Sequence, residues 1–223
     1  MDQTQGDIFH HDPELDKSVK GAISQLTKHS KTFERKVRPP NPKLQAKSQE
    51  IMQEVGKTRG RPLFFQFIGS GLGQGPYVEL IDGSVKLDLI NGIGIHILGH
   101  SHPVVVEAAV RGALSDIVMQ GNLEPNEEYY KFSKKLLEIA ARGSRFRHVW
   151  LSTCGTMANE NAIKACRQKT KAARIVIAMD AAFSGRSTMM AEVTDNPSFK
   201  EGLPNYNEVM RIPFYDKKDP KKF

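Results

Sequence analysis

Two short stretches carry the residue types that could do chemistry. The first is "STCGTMANENAIKACR", residues 152–167, where small polar residues and one glycine lead into an Ala-rich segment with helical spacing. A helix beginning near Thr156 leaves its first amides unpaired and pointing forward, with the helix dipole behind them, which makes an anion site. Gly155 lets a phosphate approach the backbone closely, and Thr153 and Thr156 add hydroxyl donors. The same Gly-Thr cap can bind only water, and these residues alone leave both readings open. The second stretch is "DAAFSGRSTMM", residues 180–190. Phe183 can lie flat on a planar ring, and Arg186, three residues on, offers a two-pronged donor for a carboxylate. A phosphate seat, an aromatic platform and a carboxylate clamp suit a planar phosphorylated cofactor and an amino-acid substrate.

Two other groups are weaker. His96, His100 and His102 lie in "GIGIHILGHSHP", but their spacing matches no common zinc signature and no acid or cysteine close by in the sequence completes a set. Backbone hydrogen bonds within a tight Gly-rich loop are the favoured role, and no metal is expected. Cys154, at a helix start, could be an activated nucleophile of a hydrolase or acyltransferase, although no histidine base is identifiable for it.

The elements that must position these residues follow from pattern and punctuation. Asp12-Pro13 and Asn41-Pro42 each read as a cap followed by proline at the first helical position. Leu15, Val19, Ile23 and Leu26 then share one face, and Leu44, Ile51, Met52 and Val55 follow the second signal, with Gly56 as a stop. Gly69, Gly71, Gly73 and Gly75 do not match a dinucleotide fingerprint and are assigned to a flexible loop. Residues 77–81 and 85–89 read as a hairpin about Asp82-Gly83. A helix follows Pro103, with Val104, Val105, Ala108, Ala109, Gly112, Ala113 and Ile117 as its apolar positions. Another starts at Asn126-Glu127-Glu128, carries Phe132, Leu136, Ile139 and Ala140, and stops at Gly143. Then come a strand at 148–152, a helix from about 156 to 170, a strand at 174–179, a loop with a short helix, and a strand at 209–214. That alternation argues for an α/β domain with a largely parallel sheet. Three strands make a poor sheet of this class, so the chain reads as the front part of a longer protein.

Composition bounds the rest. The chain of 223 residues carries a formal charge of +7, much of it in the first sixty residues and the tail "DKKDPKKF". No zinc-finger, basic-zipper or aromatic RNA-binding pattern accompanies the charge, so anionic small molecules are better expected partners than nucleic acid. No apolar run is long enough to cross a bilayer and no secretory h-region follows the N-terminus, so no membrane association and a cytoplasmic location are expected. The two cysteines, Cys154 and Cys166, form no disulfide framework.

From about Tyr77 to Arg186 the sequence resembles class III aminotransferases of the acetylornithine/ornithine type, which are fold-type I pyridoxal-phosphate enzymes. The matching blocks are "IDGSVKLDLINGIGIHILGHSHP", "STCGTMANENAIKACR" and "AFSGR". The resemblance implies an incomplete fold-type I large domain preceded by a helical and hairpin N-terminal segment. It divides the chain into an arm (1–60), a Gly-rich, hairpin and connecting segment (61–103) and the first part of the cofactor domain (104–223). It implies that Gly155 and Thr156 bind the phosphate of pyridoxal 5'-phosphate, Phe183 stacks on the pyridine ring, Arg186 holds the substrate carboxylate, and Ile93 lies near the substrate pocket. An amino-acid donor, a 2-oxo acid acceptor and a homodimer are implied as partners. Cys154 stands where the family usually has Ser, Met157 where it has Glu, and Ser184 where it has His or Trp. The Schiff-base lysine and the aspartate that pairs with the pyridine nitrogen would lie downstream of Phe223, so no residue of this chain is assigned a catalytic role. Lys164 reads as a surface residue.

Overall fold

A computed structural model describes residues 3–33, 37–116, 123–171, 175–205 and 208–218. It divides into two compact units, Met1–Asp116 and Ile117–Phe223.

The first unit opens with three helices, α1 (Gln5–His10), α2 (Pro13–Ser30) and α3 (Pro42–Thr58). Both expected caps form: the Asp12 carboxylate accepts from the Glu14 and Leu15 amides, and the Asn41 side chain accepts from the Lys43 amide. Helix α3 runs two residues past Gly56. The antiparallel strands β1 (Gly69–Gln74), β2 (Tyr77–Leu80) and β3 (Val85–Leu87) follow in the order β1-β2-β3. The hairpin about Asp82-Gly83 pairs Tyr77 with Leu87 and Glu79 with Val85. Gly83 takes φ 77°, the left-handed conformation that such a turn needs.

The Gly-rich stretch is not the flexible loop expected of it: residues 69–74 form a strand. The glycines serve close approach. A Cβ on Gly73 would lie 2.8 Å from the Cβ of His100, and one on Gly99 would lie 2.6 Å from the Cα of Gly75. Gly75 and His100 exchange backbone hydrogen bonds of 3.2 and 2.8 Å across this contact. The short α4 (Asn91–Gly94) contains left-handed residues, with Ile93 at φ 59°. Helix α5 (Pro103–Ala113) packs on α2, but not through the expected face. Val104 and Val105 are exposed, whereas Val106, Glu107, Val110 and Arg111 are half-buried, and Arg111 reaches Asp16 of α2 at 2.6 Å and Glu107 at 2.8 Å. The buried side of α5 thus mixes two valines with an ion-pair group that a hydropathy pattern does not register. Ile117, the last position of that apolar pattern, lies outside the described residues.

The second unit contains α6 (Glu127–Ala140), α7 (Gly155–Thr170), β4 (Ile175–Met179), α8 (Thr188–Val193) and β5 (Glu208–Ile212). Strands β4 and β5 are parallel, with Val176 opposite Val209 and Ala178 opposite Arg211. Val176, Met190 and Val193 form the core, with Ile163 of α7 and Val209 of β5 packed against it. Among the described residues the stretch 148–152 is not a strand: it enters no ladder. A strand exists only with a neighbour to bond. The last strand ends at Ile212, before Pro213, and Arg174, expected to begin β4, lies outside the described residues. The apolar face read on α6 does form a stripe, yet Phe132 is 56% exposed, and Leu136 and Ile139 are exposed too.

Candidate functional site

The site is built around the first turns of α7. Ala158 is the first amide bonded within that helix, to the Cys154 carbonyl at 3.0 Å. The amides of Gly155, Thr156 and Met157 precede it, and no side chain caps them. A Cβ placed on Gly155 would meet nothing within 4 Å, so no described neighbour crowds that position. Those donors, at the positive end of a 16-residue helix, fit a phosphate. The amide of Met157, and after it that of Thr156, holds the Cys154 thiol below its ordinary range, with nearby threonine hydroxyls adding to the effect. The same field would favour any anion placed there.

The chain then runs through β4 and returns along residues 180–187 to the same helix end. Gly185, at φ 137°, approaches so closely that a Cβ on it would stand 2.5 Å from Thr156 Oγ1. The Asn159 side-chain amide donates to the Ser184 carbonyl at 2.8 Å. The Ser187 hydroxyl donates to the Glu160 carboxylate and also caps α8 by accepting from the Met190 amide. From the other side, buried Thr194 accepts from the Ser184 amide at 2.9 Å and donates toward the carbonyls of Met190 and Gly185. The backbone of this loop is thus fixed, while the side chains of Phe183 and Arg186 project from it exposed.

Phe183 is 62% exposed, its ring edge-to-face with Phe199 at 6.0 Å. The Arg186 guanidinium lies 4.9 Å from the Phe199 ring centre and 6.0 Å from that of Phe183. Among the described residues no carboxylate pairs with it, so its donors are directed at no acid of the described chain. A planar carboxylate fits such a fork, and an exposed phenyl ring suits a flat heteroaromatic.

Gly155, Thr156, Phe183 and Arg186 therefore gather in one place in the second unit. Ile93 belongs to the first unit and is 92% exposed. Lys164 is exposed on α7. The histidine group proves different from its sequence reading. His100 does make the backbone bonds expected of it, but an acid is close by: its ring Nε2 lies 2.7 Å from Asp88 Oδ2, with both side chains largely buried. The other Asp88 oxygen accepts from the Ile90 and Asn91 amides. The bond to His100 comes first among the causes that hold the Asp88 carboxyl below its usual range. His96 stacks beside His100 at 4.7 Å. The described residues contain no cluster of three or more potential metal ligands.

Sequence reasoning missed Asn159, Glu160, Thr194 and Phe199. Asn159 and Glu160 follow Thr156 by three and four positions and so share its helix face, a readable signal. Nothing in the sequence marks Phe199, which lies in a polar loop.

Comparison with known proteins bears on the same region. The model of the family "Aminotransferase class-III" matches residues 64–222. A Pyrococcus abyssi protein, named as a LysW-aminoadipate semialdehyde/glutamate semialdehyde transaminase, is 37% identical over 145 residues, covering 65% of this chain and 38% of that protein. The acetylornithine aminotransferase of Mycolicibacterium smegmatis is 36% identical over 149 residues, covering 65% of this chain and 36% of its own. The chain thus spans well under half the length of these curated relatives. Among solved structures, the ornithine aminotransferase of Toxoplasma gondii superposes with a TM-score of 0.65 at 17% identity, over 76% of this chain and 41% of that one. An S-selective transaminase from an Arthrobacter species gives 0.64 at 20% identity, over 76% and 40%. These last two establish the fold, that of fold-type I transaminases, of which this chain covers part. No helix among the described residues is long and apolar enough to cross a membrane.

Proposed function

Because the chain belongs to the class-III aminotransferase family, we propose that it supplies the cofactor-seating part of an enzyme that moves an amino group from an amino acid or ω-amine to a 2-oxo acid. The donors best suited are acetylornithine-, ornithine- or lysine-like. Pyridoxal 5'-phosphate, when bound, supplies the electron sink for the proton shift at the amino-bearing carbon. The amides of Gly155 and Thr156 seat its phosphate, the Phe183 ring lies against its pyridine face, and Arg186 takes the substrate carboxylate and so orients the amino group. Ile93 lines the substrate side. The observation that carries this reading is the approach of Gly185 to Thr156, which puts the carboxylate clamp and the phosphate donors on one short stretch of structure.

The lysine that bonds the cofactor and the aspartate that faces its ring nitrogen lie beyond residue 223 on this reading, and the chain acts as a fragment of the working enzyme. A second copy of the protein is the proposed partner, supported by the exposed Ile95, Ile97, Val104 and Val105. Two free cysteines suit a cytoplasmic, reducing setting. The hydrolase reading of Cys154 gains nothing from the structure: among the described residues backbone amides and threonine hydroxyls, not a histidine, surround its thiol.

Borohydride reduction after incubation with pyridoxal phosphate tests the proposal. The complete protein should yield one labelled lysine peptide from beyond residue 223. A specific label on a lysine within residues 1–223 would contradict it.

A further inference from the structure

Arg186 can clamp a carboxylate at a useful distance from the phosphate donors only if its loop keeps a fixed height along α7. Two side chains on the second turn of that helix set this height. Asn159 holds the carbonyl of Ser184, the residue after Phe183, at 2.8 Å. Glu160 takes the hydroxyl of Ser187, the residue after Arg186. Each functional side chain is therefore followed directly by a residue tied to α7. A helix rises about 1.5 Å per residue, so Gly155 and Glu160 are separated by about 7.5 Å along the axis, and α7 acts as a ruler between phosphate seat and clamp. Thr194 also holds the Ser184 amide and the Gly185 carbonyl, whereas the Ser187 hydroxyl is tied to Glu160 of α7.

We propose that Asn159 and Glu160 are positioning residues that hang the Phe183–Ser187 loop from α7, Glu160 fixing Arg186 for carboxylate recognition and Asn159 fixing Phe183 against the cofactor ring. This rests on the reading of Arg186 and Phe183 given above. Neither residue touches substrate or cofactor; each acts through the loop. Glu160 needs only an acceptor oxygen for the Ser187 hydroxyl, so its charge is dispensable and glutamine should replace it, whereas alanine should not.

The experiment uses the complete protein and has two readouts. In the first, phenylglyoxal modifies Arg186 in the cofactor-free protein, with glutarate as the protecting dicarboxylate and peptide mass as the measure. Glutarate should protect the wild type and Glu160→Gln, and protect Glu160→Ala at least fivefold less well. In the second, the pyridoxal-phosphate-loaded protein reacts with L-glutamate. Glu160→Ala should raise KM about tenfold, the upper range for one hydrogen bond, with kcat within about twofold, and Glu160→Gln should restore KM. Asn159→Ala should weaken pyridoxal phosphate binding about threefold, in keeping with one ordinary hydrogen bond. Wild-type KM and protection in Glu160→Ala, or a glutamine variant as impaired as alanine, would overturn the proposal while leaving the reading of Arg186 intact. Failure of Arg186→Ala to raise KM would overturn that reading and this proposal together. Should Glu160→Ala not fold, Glu160→Asp withdraws the acceptor by one methylene and should raise KM above that of the glutamine variant; a wild-type KM there overturns the proposal.

Discussion

Helices α2 and α7 are of similar length, and their N-termini are finished in opposite ways. At α2 the Asp12 carboxylate, two and three residues from its partners, satisfies the Glu14 and Leu15 amides. At α7 no side-chain hydrogen bond caps the first turn, and a Cβ placed on Gly155 would meet nothing within 4 Å among the described residues. The first arrangement is a solved local problem; the second, among the described residues, gives the Thr156 and Met157 amides only the Cys154 thiol beside them, with no carboxylate or amide oxygen as cap. A helix end open in this way costs stability unless water or a ligand satisfies it, and the loop braced against it brings in a phenyl ring and a guanidinium. The difference between the two ends separates a structural cap from a candidate binding site.

The strongest way to break this contrast is Gly185→Val. A side chain there collides with Thr156 and must also adopt a conformation foreign to branched residues. Urea unfolding should show a loss of about 2–4 kcal/mol, and pyridoxal phosphate binding should weaken with it. Wild-type stability would mean that the loop does not need its approach to α7. A smaller effect is expected at Asp88, whose work is internal. Its folded carboxyl titrates below the unfolded one, chiefly through the bond to His100, so its stabilisation is present above the ordinary carboxylate range and lost as pH falls through its depressed folded value. Asp88→Asn should lower stability by about 1–2 kcal/mol at neutral pH, and the gap from wild type should close on acidification. A gap that widens toward acid would reverse the assignment. The smallest effects sharpen the comparison itself. Asp12→Ala should cost about 1 kcal/mol, whereas Cys154→Ala should stay within about 0.5 kcal/mol, since no cap is lost. Equal losses at the two ends would erase the distinction.

Local punctuation made much of this architecture readable. Asp12-Pro13, Asn41-Pro42 and Asp82-Gly83 each state a backbone geometry within a few residues, and each forms as read. The Phe-Arg pair stands just after β4, as open-sheet topology suggests, but the strand expected before the Gly-Thr turn does not form among the described residues. Non-local choices were not legible. The glycines at 73 and 75 looked flexible, since the partner that requires them, the chain around Gly99 and His100, approaches only after folding. The face of α5 that meets α2 includes the Arg111–Asp16 pair, 95 positions apart in sequence. The run at 148–152 has strand composition without a described neighbour to pair with. Asn159 and Glu160 stood on the right helix face, but their partners, the Ser184 carbonyl and the Ser187 hydroxyl, were identifiable only once the loop was seen against α7.

The central claim is that the open end of α7 receives a phosphate while the loop above it receives the rest of the same molecule. Amide nitrogen–proton spectra of the chain, titrated with pyridoxal phosphate, inorganic phosphate and pyridoxal in turn, test it directly. Pyridoxal phosphate should move the Gly155, Thr156 and Met157 amides together with those from Phe183 to Ser187. Inorganic phosphate should move the first group alone, and pyridoxal at equal concentration should barely move it. Perturbations centred elsewhere, with the amides at 155–157 unmoved by either phosphate, would contradict the account.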